Sequence, residues 1–408
     1  MAKQQERIVD EPPVVRETST AEQYERYVGG SPEAERVILE RLAGDLMRVQ
    51  LKIKERSGAA GIDRAFHAKA ILGVENARLR FHTSLPEELR TGFAQPGAEY
   101  PVIVRLSNAS GVRQPDSAPD LRGAALRIQV GAEETHDLLM TNHPVSHAAN
   151  AREFVVFAQV MAGATTTLRK AVALYVKLPW ALGWSTAARM RRNVLAGTRR
   201  EVRSLALETY WSRGAILWGQ AGPVRYRLRP AAVSPSAVPV PREDADYLSH
   251  ELAARLASQD VVFDLCVQRY EDAGLTPVED GAADWPDADV PVVPVATLTI
   301  PRQDVGTADA RAAGIRIDRL AFDPWNTTDE FRPWATSTAR ARPPTRPAAP
   351  IAADAASSRP RRDATSSSAP CCAARSACST GTSPGTGCRP GSACSTSRPS
   401  GRCCAATT

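Results

Sequence analysis

The segment from Trp334 to Thr408 lacks most of the residue types that build a protein core. It contains no Leu, Val, Phe, Tyr, Met, Lys, Glu, Asn, Gln or His, and only Trp334 and Ile351 are large and apolar. A chain of this composition cannot bury enough apolar surface to offset the entropy of ordering it. The sequence therefore predicts a low-complexity, disordered tail over residues 334–408.

The residues that precede this tail carry almost no net charge. Of the 51 basic and 45 acidic residues, 10 Arg and 2 Asp lie in the tail, which leaves 41 and 43 for the rest. The net charge of +6 is thus a property of the tail. This distribution argues against nucleic acid as a partner of the body.

Cysteine is equally scarce outside the tail. Cys266 is the one cysteine before Trp334, and the adjacent pairs Cys371-Cys372 and Cys403-Cys404 lack the spacing of a zinc site. The N-terminus leads into charged residues and has no signal-peptide pattern. We expect a reduced, cytoplasmic protein.

Long apolar runs are also missing. The stretch 171–182 is too short and too interrupted to span a bilayer, and several arginines follow it before residue 201. A solvated helix face is the ordinary interpretation of such a pattern. The alternative is a weak contact of residues 171–200 with a membrane surface.

The order of the predicted elements indicates an α+β fold. Ser31-Pro32-Glu33 is a favourable helix start, and helical spacing continues to Gly58. Further helices are predicted at about 151–195 and 244–258. Strands with period-two alternation are predicted around residues 79–81, 102–106, 125–130, 224–228, 261–267 and 295–300. Runs of strands interrupted by helices, without βαβ alternation, are typical of α+β proteins.

Three motifs carry the chemistry of the sequence. They are Arg64-Ala65-Phe66-His67-Ala68-Lys69, Val102-Ile103-Val104-Arg105-Leu106-Ser107 and Asp120-Leu121-Arg122-Gly123-Ala124-Ala125-Leu126. In this order they resemble the distal haem pocket of the catalase family. The resemblance makes His67 the group that moves the peroxide proton and Ser107 the group that orients it. It makes Arg64 and Arg105 ligands of the haem propionates.

The chemistry explains why these residue types belong together. An imidazole that titrates near neutrality can move a proton from one peroxide oxygen to the other, and a hydroxyl bonded to its second nitrogen fixes its tautomer. Arginine clamps carboxylates with fork geometry. Taken singly, each residue has an ordinary interpretation, since a strand Arg is usually solvated and a lone His is usually structural.

Two later motifs extend the resemblance. The run from His136 to Pro144 is similar to the family segment whose first Asn donates a hydrogen bond to bound peroxide. Counting without gaps places Thr141 at that position, but we expect Asn142 to take the role because an amide is the better donor. Phe154 and Phe157 match aromatic positions beside the haem, although spacing alone fits plain core residues equally well.

The resemblance covers residues 60–333 and implies an antiparallel β-barrel that carries haem b, with helices packed outside. It is closest to the short, single-domain bacterial catalase-related haem proteins. We expect an N-terminal helical arm at 1–59, the haem-binding core at 60–333 and the tail at 334–408. The implied partners are hydrogen peroxide or an organic hydroperoxide, a small reductant, and further copies of the chain in a homo-oligomer.

The iron ligand of the family is missing. Catalase iron is held by a Tyr, in a family motif Arg-x-x-x-Tyr, yet no Tyr follows Tyr270. The run Trp334–Ala341 is compatible with a one-base-shifted translation of CTG GGC AAC CTC AAC CGC GCG CGC, in frame Leu-Gly-Asn-Leu-Asn-Arg-Ala-Arg. The same shift places the expected ligand at the position of Thr345. The original codon there could have encoded Tyr, His, Asn or Asp. We interpret the tail as a frameshift, and the alternative is a natural tail.

Three functions follow from the sequence. The first is a haem catalase or peroxidase, impaired in this form by loss of the Tyr. The second is a haem-binding or haem-storage protein without turnover. The third is a folded module whose basic tail binds acidic partners.

Overall fold

The computed structural model describes residues 27–57, 64, 66–164, 166–231 and 238–333, without the side chains of Arg56 and Ser57. The tail from Trp334, including Thr345, lies outside the described residues, as do residues 1–26 of the expected arm. The domain boundaries expected after residues 59 and 333 stay a prediction.

Nine antiparallel strands form one sheet in the order β5-β4-β3-β2-β1-β9-β8-β7-β6. A further pairing of β5 with β7 joins the two sides of the sheet, so that eight strands close into a barrel and β6 extends from β7. This confirms the predicted α+β barrel. The strands are β1 (Ala70–Phe81), β2 (Glu99–Asn108), β3 (Arg122–Gln129), β4 (Thr135–Thr141), β5 (Tyr210–Ser212), β6 (Ile216–Leu217), β7 (Pro223–Pro230), β8 (Val261–Arg269) and β9 (Val293–Ile300).

Alternate strand residues fill the barrel. Leu79, Leu126, Leu228 and Leu298 are at most 1% exposed and belong to one apolar cluster. Because neighbouring residues in a strand point to opposite faces, the residues between these core positions face the outside of the barrel. Polar side chains on that outer face are therefore available to a site between the barrel and its helices.

Seven α-helices are present in the part of the chain that the structure describes. They are α1 (Pro32–Ser57), α2 (Ala151–Met161), α3 (Thr167–Val172), α4 (Leu178–Leu182), α5 (Trp184–Thr198), α6 (Tyr247–Ser258) and α7 (Ala308–Arg319), with a π-helical turn at Ala173–Lys177 between α3 and α4. The helix starts follow capping rules. Ser31 Oγ accepts from Ala34 N at 3.2 Å, and Asn150 Oδ1 accepts from Glu153 N at 3.1 Å.

The helices of the described residues are too short or too polar to cross a lipid bilayer.

Candidate active site

His67 lies three positions before the start of β1, in a backbone conformation that non-glycine residues rarely adopt. Its φ is 59°, and among the described residues it is the one non-glycine residue with a positive φ. Hydrogen bonds from His67 N to Ala109 O (2.9 Å) and from Ala68 N to Ser110 O (3.0 Å) hold the segment there. Strained conformations of this kind cost about 1–3 kcal/mol and cluster at functional sites.

The imidazole of His67 lies over the outer face of β2 and β3. Its Nδ1 is 3.0 Å from Ser107 Oγ, which leaves Nε2 as the ring nitrogen that can meet a substrate. Ser107 pairs with Gly123 in the ladder. A Cβ at Gly123 would lie 2.5 Å from His67 Cε1 and 3.0 Å from Ser107 Oγ, so the ring occupies the space that any larger residue would need.

His67 is neutral at ordinary pH. Burial, together with the positive charges of Arg105, Arg213 and Arg64, lowers the pKa of His67 from its usual 6.5 to about 3. The sequence suggested an imidazole that titrates near neutrality, and the structure corrects this. The neutral form is the one that can accept a proton.

Arg213, in the turn after β5, is a site residue that the sequence analysis missed. Its Nη1 donates to Thr141 Oγ1 at 2.9 Å and to Val145 O at 3.0 Å. Burial and the charge of Arg225 lower the pKa of Arg213 to about 10, so it stays charged at neutral pH. A lone arginine outside any periodic pattern gives no signal in the sequence, and only the closure of the barrel brings it to His67.

Thr141, and not Asn142, shares a face with the His67 ring. Thr141 pairs with Gly123 across β3 and β4, and directly opposed residues project to the same side. Asn142 has both amide atoms engaged elsewhere, since Oδ1 accepts from Arg122 N at 2.6 Å and Nδ2 donates to Glu208 Oε2 at 2.9 Å. The geometry thus favours the alternative given above, Thr141, over the expected Asn142.

The two arginines expected at the haem propionates converge on the C-terminal end of α7. Arg105 Nη2 donates to Asp318 Oδ1 at 2.8 Å and to His67 O at 2.7 Å. Arg64 donates to the carbonyl oxygens of Asp318 (2.9 Å) and Leu320. Arg113 Nη2 lies 3.3 Å from Asp318 Oδ2. Two guanidinium groups, of Arg105 and Arg113, thus contact the Asp318 carboxylate, and that of Arg64 contacts the neighbouring carbonyl oxygens.

Aromatic side chains close one side of the site. Phe154 packs on Phe66 with ring centroids 5.0 Å apart, and Phe66 precedes His67 in the chain. Phe157 packs on His147 at 4.4 Å. Burial lowers the pKa of His147 to about 3, helped by the charges of Arg213 and Arg189. The two phenylalanines therefore belong to an apolar wall that continues from the site into the packing of α2.

The donor set fits the distal half of a haem site. Cationic groups stand at one end, a neutral imidazole lies at the centre, and aromatic rings line the side. Within the described residues, no group of three or more His, Cys, Asp or Glu side chains is arranged to hold a metal ion. The expected iron-ligand position, Thr345, is outside those residues.

A curated protein and a number of solved structures are similar to this chain. No family model matches the chain. The catalase-related peroxidase of Mycolicibacterium paratuberculosis (strain ATCC BAA-968 / K-10) is 32% identical over 246 residues, which cover 58% of this chain and 72% of the relative.

The solved structures share the fold. A bacterial catalase superposes with a TM-score of 0.52 at 20% identity, over 72% of this chain and 57% of the catalase. A fungal catalase gives 0.54 at 18% identity, over 71% and 59%. The chain thus spans less than two thirds of the length of these catalases. With the relative and the barrel taken together, the chain belongs to the catalase family of peroxide-acting oxidoreductases.

Proposed function

We propose that the site supports haem-dependent turnover of hydrogen peroxide or an organic hydroperoxide. The observation that carries this proposal is His67, held over Gly123 in a strained conformation with Nδ1 3.0 Å from Ser107 Oγ. Haem b, when bound, supplies the redox chemistry that breaks the peroxide O–O bond. The residues of the chain bind and orient the cofactor and move the proton.

His67 is the proton carrier in this proposal. Its neutral Nε2 accepts the proton of the near peroxide oxygen and returns it to the far oxygen. Ser107 keeps the ring in one orientation and one tautomer through Nδ1. The low pKa of His67 favours return of the proton, because the protonated ring is buried and lies beside the charged Arg105 and Arg213.

Thr141 is the hydrogen-bond donor to peroxide in this proposal. Its Oγ1 accepts from Arg213 Nη1, and a hydroxyl that accepts one bond still has its own proton to donate. The Asn142 amide is directed elsewhere, because its Oδ1 accepts from Arg122 N and its Nδ2 donates to Glu208 Oε2. Asn142 is then a positioning residue at the end of β4.

Arg64 and Arg105 would hold the haem carboxylates, with Phe154 and Phe157 on the apolar side. Their guanidinium groups meet at the C-terminal end of α7, and guanidinium groups bind carboxylates with fork geometry. The Asp318 carboxylate fixes Arg105 before haem arrives, so the clamp does not have to be ordered on binding.

The form with the present tail would bind haem weakly, because an axial ligand is a main means by which a protein holds and tunes haem. We propose that restoring one base before the Trp334 codon returns the Tyr. The coding DNA tests this directly. If the restored frame contains no apolar segment with an Arg-x-x-x-Tyr, the frameshift interpretation is wrong.

The role of His67 is tested in the frame-restored protein. General acid–base catalysis is typically worth about 10²–10⁴-fold, so His67→Ala should reduce peroxide turnover by at least about 100-fold while the haem spectrum shows the cofactor still bound. His250→Ala is the matched control, because His250 is exposed and its ring is bonded to Asp244 and not to a residue of the site. Equal turnover in the His67→Ala and unsubstituted proteins would remove His67 from the mechanism.

A further inference from the structure

A series of large apolar side chains stands exposed along the segment that runs from α3 to the first turn of α5. Trp180 is 91% exposed and Trp184 is 73% exposed. Leu168, Val172, Tyr175 and Val176 continue the series at helical spacing, and each is more than a third exposed. We call these six residues the 168–184 face. Single exposed apolar residues are ordinary, but a contiguous series is a mark of an interaction site.

The segment around the 168–184 face is strongly basic. Residues 154–200 contain eight Lys and Arg and no Asp or Glu. Arg189 pairs with Glu153 and Arg200 with Glu208. Six of the eight have exposed side chains: Arg169, Lys170, Lys177, Arg192, Arg199 and Arg200. A partner of this surface must therefore be apolar at the centre and anionic around it.

The opposite side of the segment is packed against the protein. Leu178, Ala187 and Met190 are fully buried in a cluster that includes Phe154 and Phe157. The Arg191 guanidinium lies 4.8 Å from the ring centroid of Tyr175, in a cation–π contact. The 168–184 face is thus an outward surface of a fixed amphipathic element, since its inward side already has its apolar partners.

We propose that the 168–184 face docks on the surface of an anionic lipid bilayer. Tryptophan prefers the interface between the acyl chains and the headgroups, and basic residues near an anionic leaflet each add to binding. A second copy of the chain fits poorly, because a symmetric dimer would bring two such basic surfaces together. The element would lie in the plane of the interface. This inference does not depend on haem or on peroxide turnover.

Vesicle sedimentation with the full chain tests the proposal. The chain should sediment with phosphatidylcholine vesicles that contain about 30% phosphatidylglycerol and remain in solution with phosphatidylcholine alone. Trp180→Ala together with Trp184→Ala should weaken binding at least about tenfold, because the insertion of two large apolar side chains is lost. Raising the salt from about 0.1 M to about 0.5 M should also release the chain.

The control replaces two apolar residues of similar exposure elsewhere, Val37→Ala and Ile315→Ala, each 58% exposed. This variant should bind vesicles as the unsubstituted chain does, and thermal unfolding should show that both variants are folded. Three results would overturn the proposal: no binding to anionic vesicles, unchanged binding after the tryptophan substitutions, as expected if the arginine-rich tail binds instead, or a dimer in solution that the tryptophan substitutions dissociate.

Discussion

At the scale of single residues, the charge of Arg213 adds to burial and to the charge of Arg105 in lowering the pKa of His67. Arg213→Met should raise the pKa of His67 from about 3 toward 6.5, without reaching it, because burial is the larger cause and remains. Arg213→Lys should keep the pKa low. Histidine NMR titration of the full chain without haem, with His67→Ala for assignment, measures this.

Arg200→Met provides the control for that titration. Arg200 and Arg213 both lower the pKa of His143, after burial, whereas Arg200 is not among the charges that act on His67. Arg200→Met should therefore move the titration of His143 and leave His67 unchanged. If Arg213→Met leaves the pKa of His67 where it was, the electrostatic role of Arg213 is wrong.

The absence of a side chain at Gly123 leaves the space that the His67 ring occupies. Gly123→Ala would put a Cβ 2.5 Å from His67 Cε1, so the ring must move away from Ser107 and stability should fall by about 1–3 kcal/mol. Gly163→Ala is the control, because nothing lies within 4 Å of a Cβ there. Chemical denaturation of both variants compares them, and equal stability would show that the ring is not confined.

At the scale of elements, α7 connects to the barrel through one buried and one exposed ion pair. Arg105 with Asp318 joins side chains that are 3% and 25% exposed, whereas Arg316 with Glu75 joins side chains that are 61% and 51% exposed. Asp318→Ala leaves a buried guanidinium without its carboxylate and should cost about 3 kcal/mol. Glu75→Ala should cost less than about 1 kcal/mol. Urea unfolding measures both, and similar losses would contradict this account of the two ion pairs.

The sequence predicted the elements with clear periodicity and missed those without it. The helix from Pro32, β1, β2 and β7 to β9 lie where alternation or capping indicated them. Helix α7 was missed because only Ala313 and Ile317 are buried in it, too few for an apolar stripe. Strand β4 was missed because its residues were interpreted as a pocket motif, and both of its faces are largely buried.

The same dependence on local patterns explains which residues of the site could be predicted from the sequence. Arg64, His67, Arg105 and Ser107 could be assigned because their motifs are local. The choice between Thr141 and Asn142 depends on strand register, since a shift of one residue exchanges the two faces. The register follows from the pairing of β4 with β3, which no local pattern specifies.

At the scale of the whole molecule, buried histidines make the fold sensitive to acid. Burial is the leading cause that lowers the pKa of His67, His136 and His147 to about 3. In the unfolded chain these groups titrate near 6.5. Between these values the unfolded state binds more protons, so stability is fully present above pH 6.5 and is lost as the pH falls toward 3.

The slope of this loss can be measured. If all three histidines contribute, the free energy of unfolding should fall by up to about 4 kcal/mol per pH unit near pH 5. Urea unfolding at a series of pH values gives the slope, and His136→Asn should remove about a third of it. A free energy of unfolding that does not change between pH 6.5 and pH 4 would contradict the low pKa values.

The most direct test of the central claim compares the chain as it stands with the frame-restored chain, each purified with added haemin. The claim is that the described residues form a competent distal pocket and that the form with the present tail lacks the iron ligand. Hydrogen peroxide decay and the visible spectrum, measured side by side, should show stoichiometric haem and fast decay for the restored chain, and little haem and slow decay for the present one. Stoichiometric haem with fast peroxide removal by the present chain, or a haem-loaded restored chain without turnover, would contradict the account.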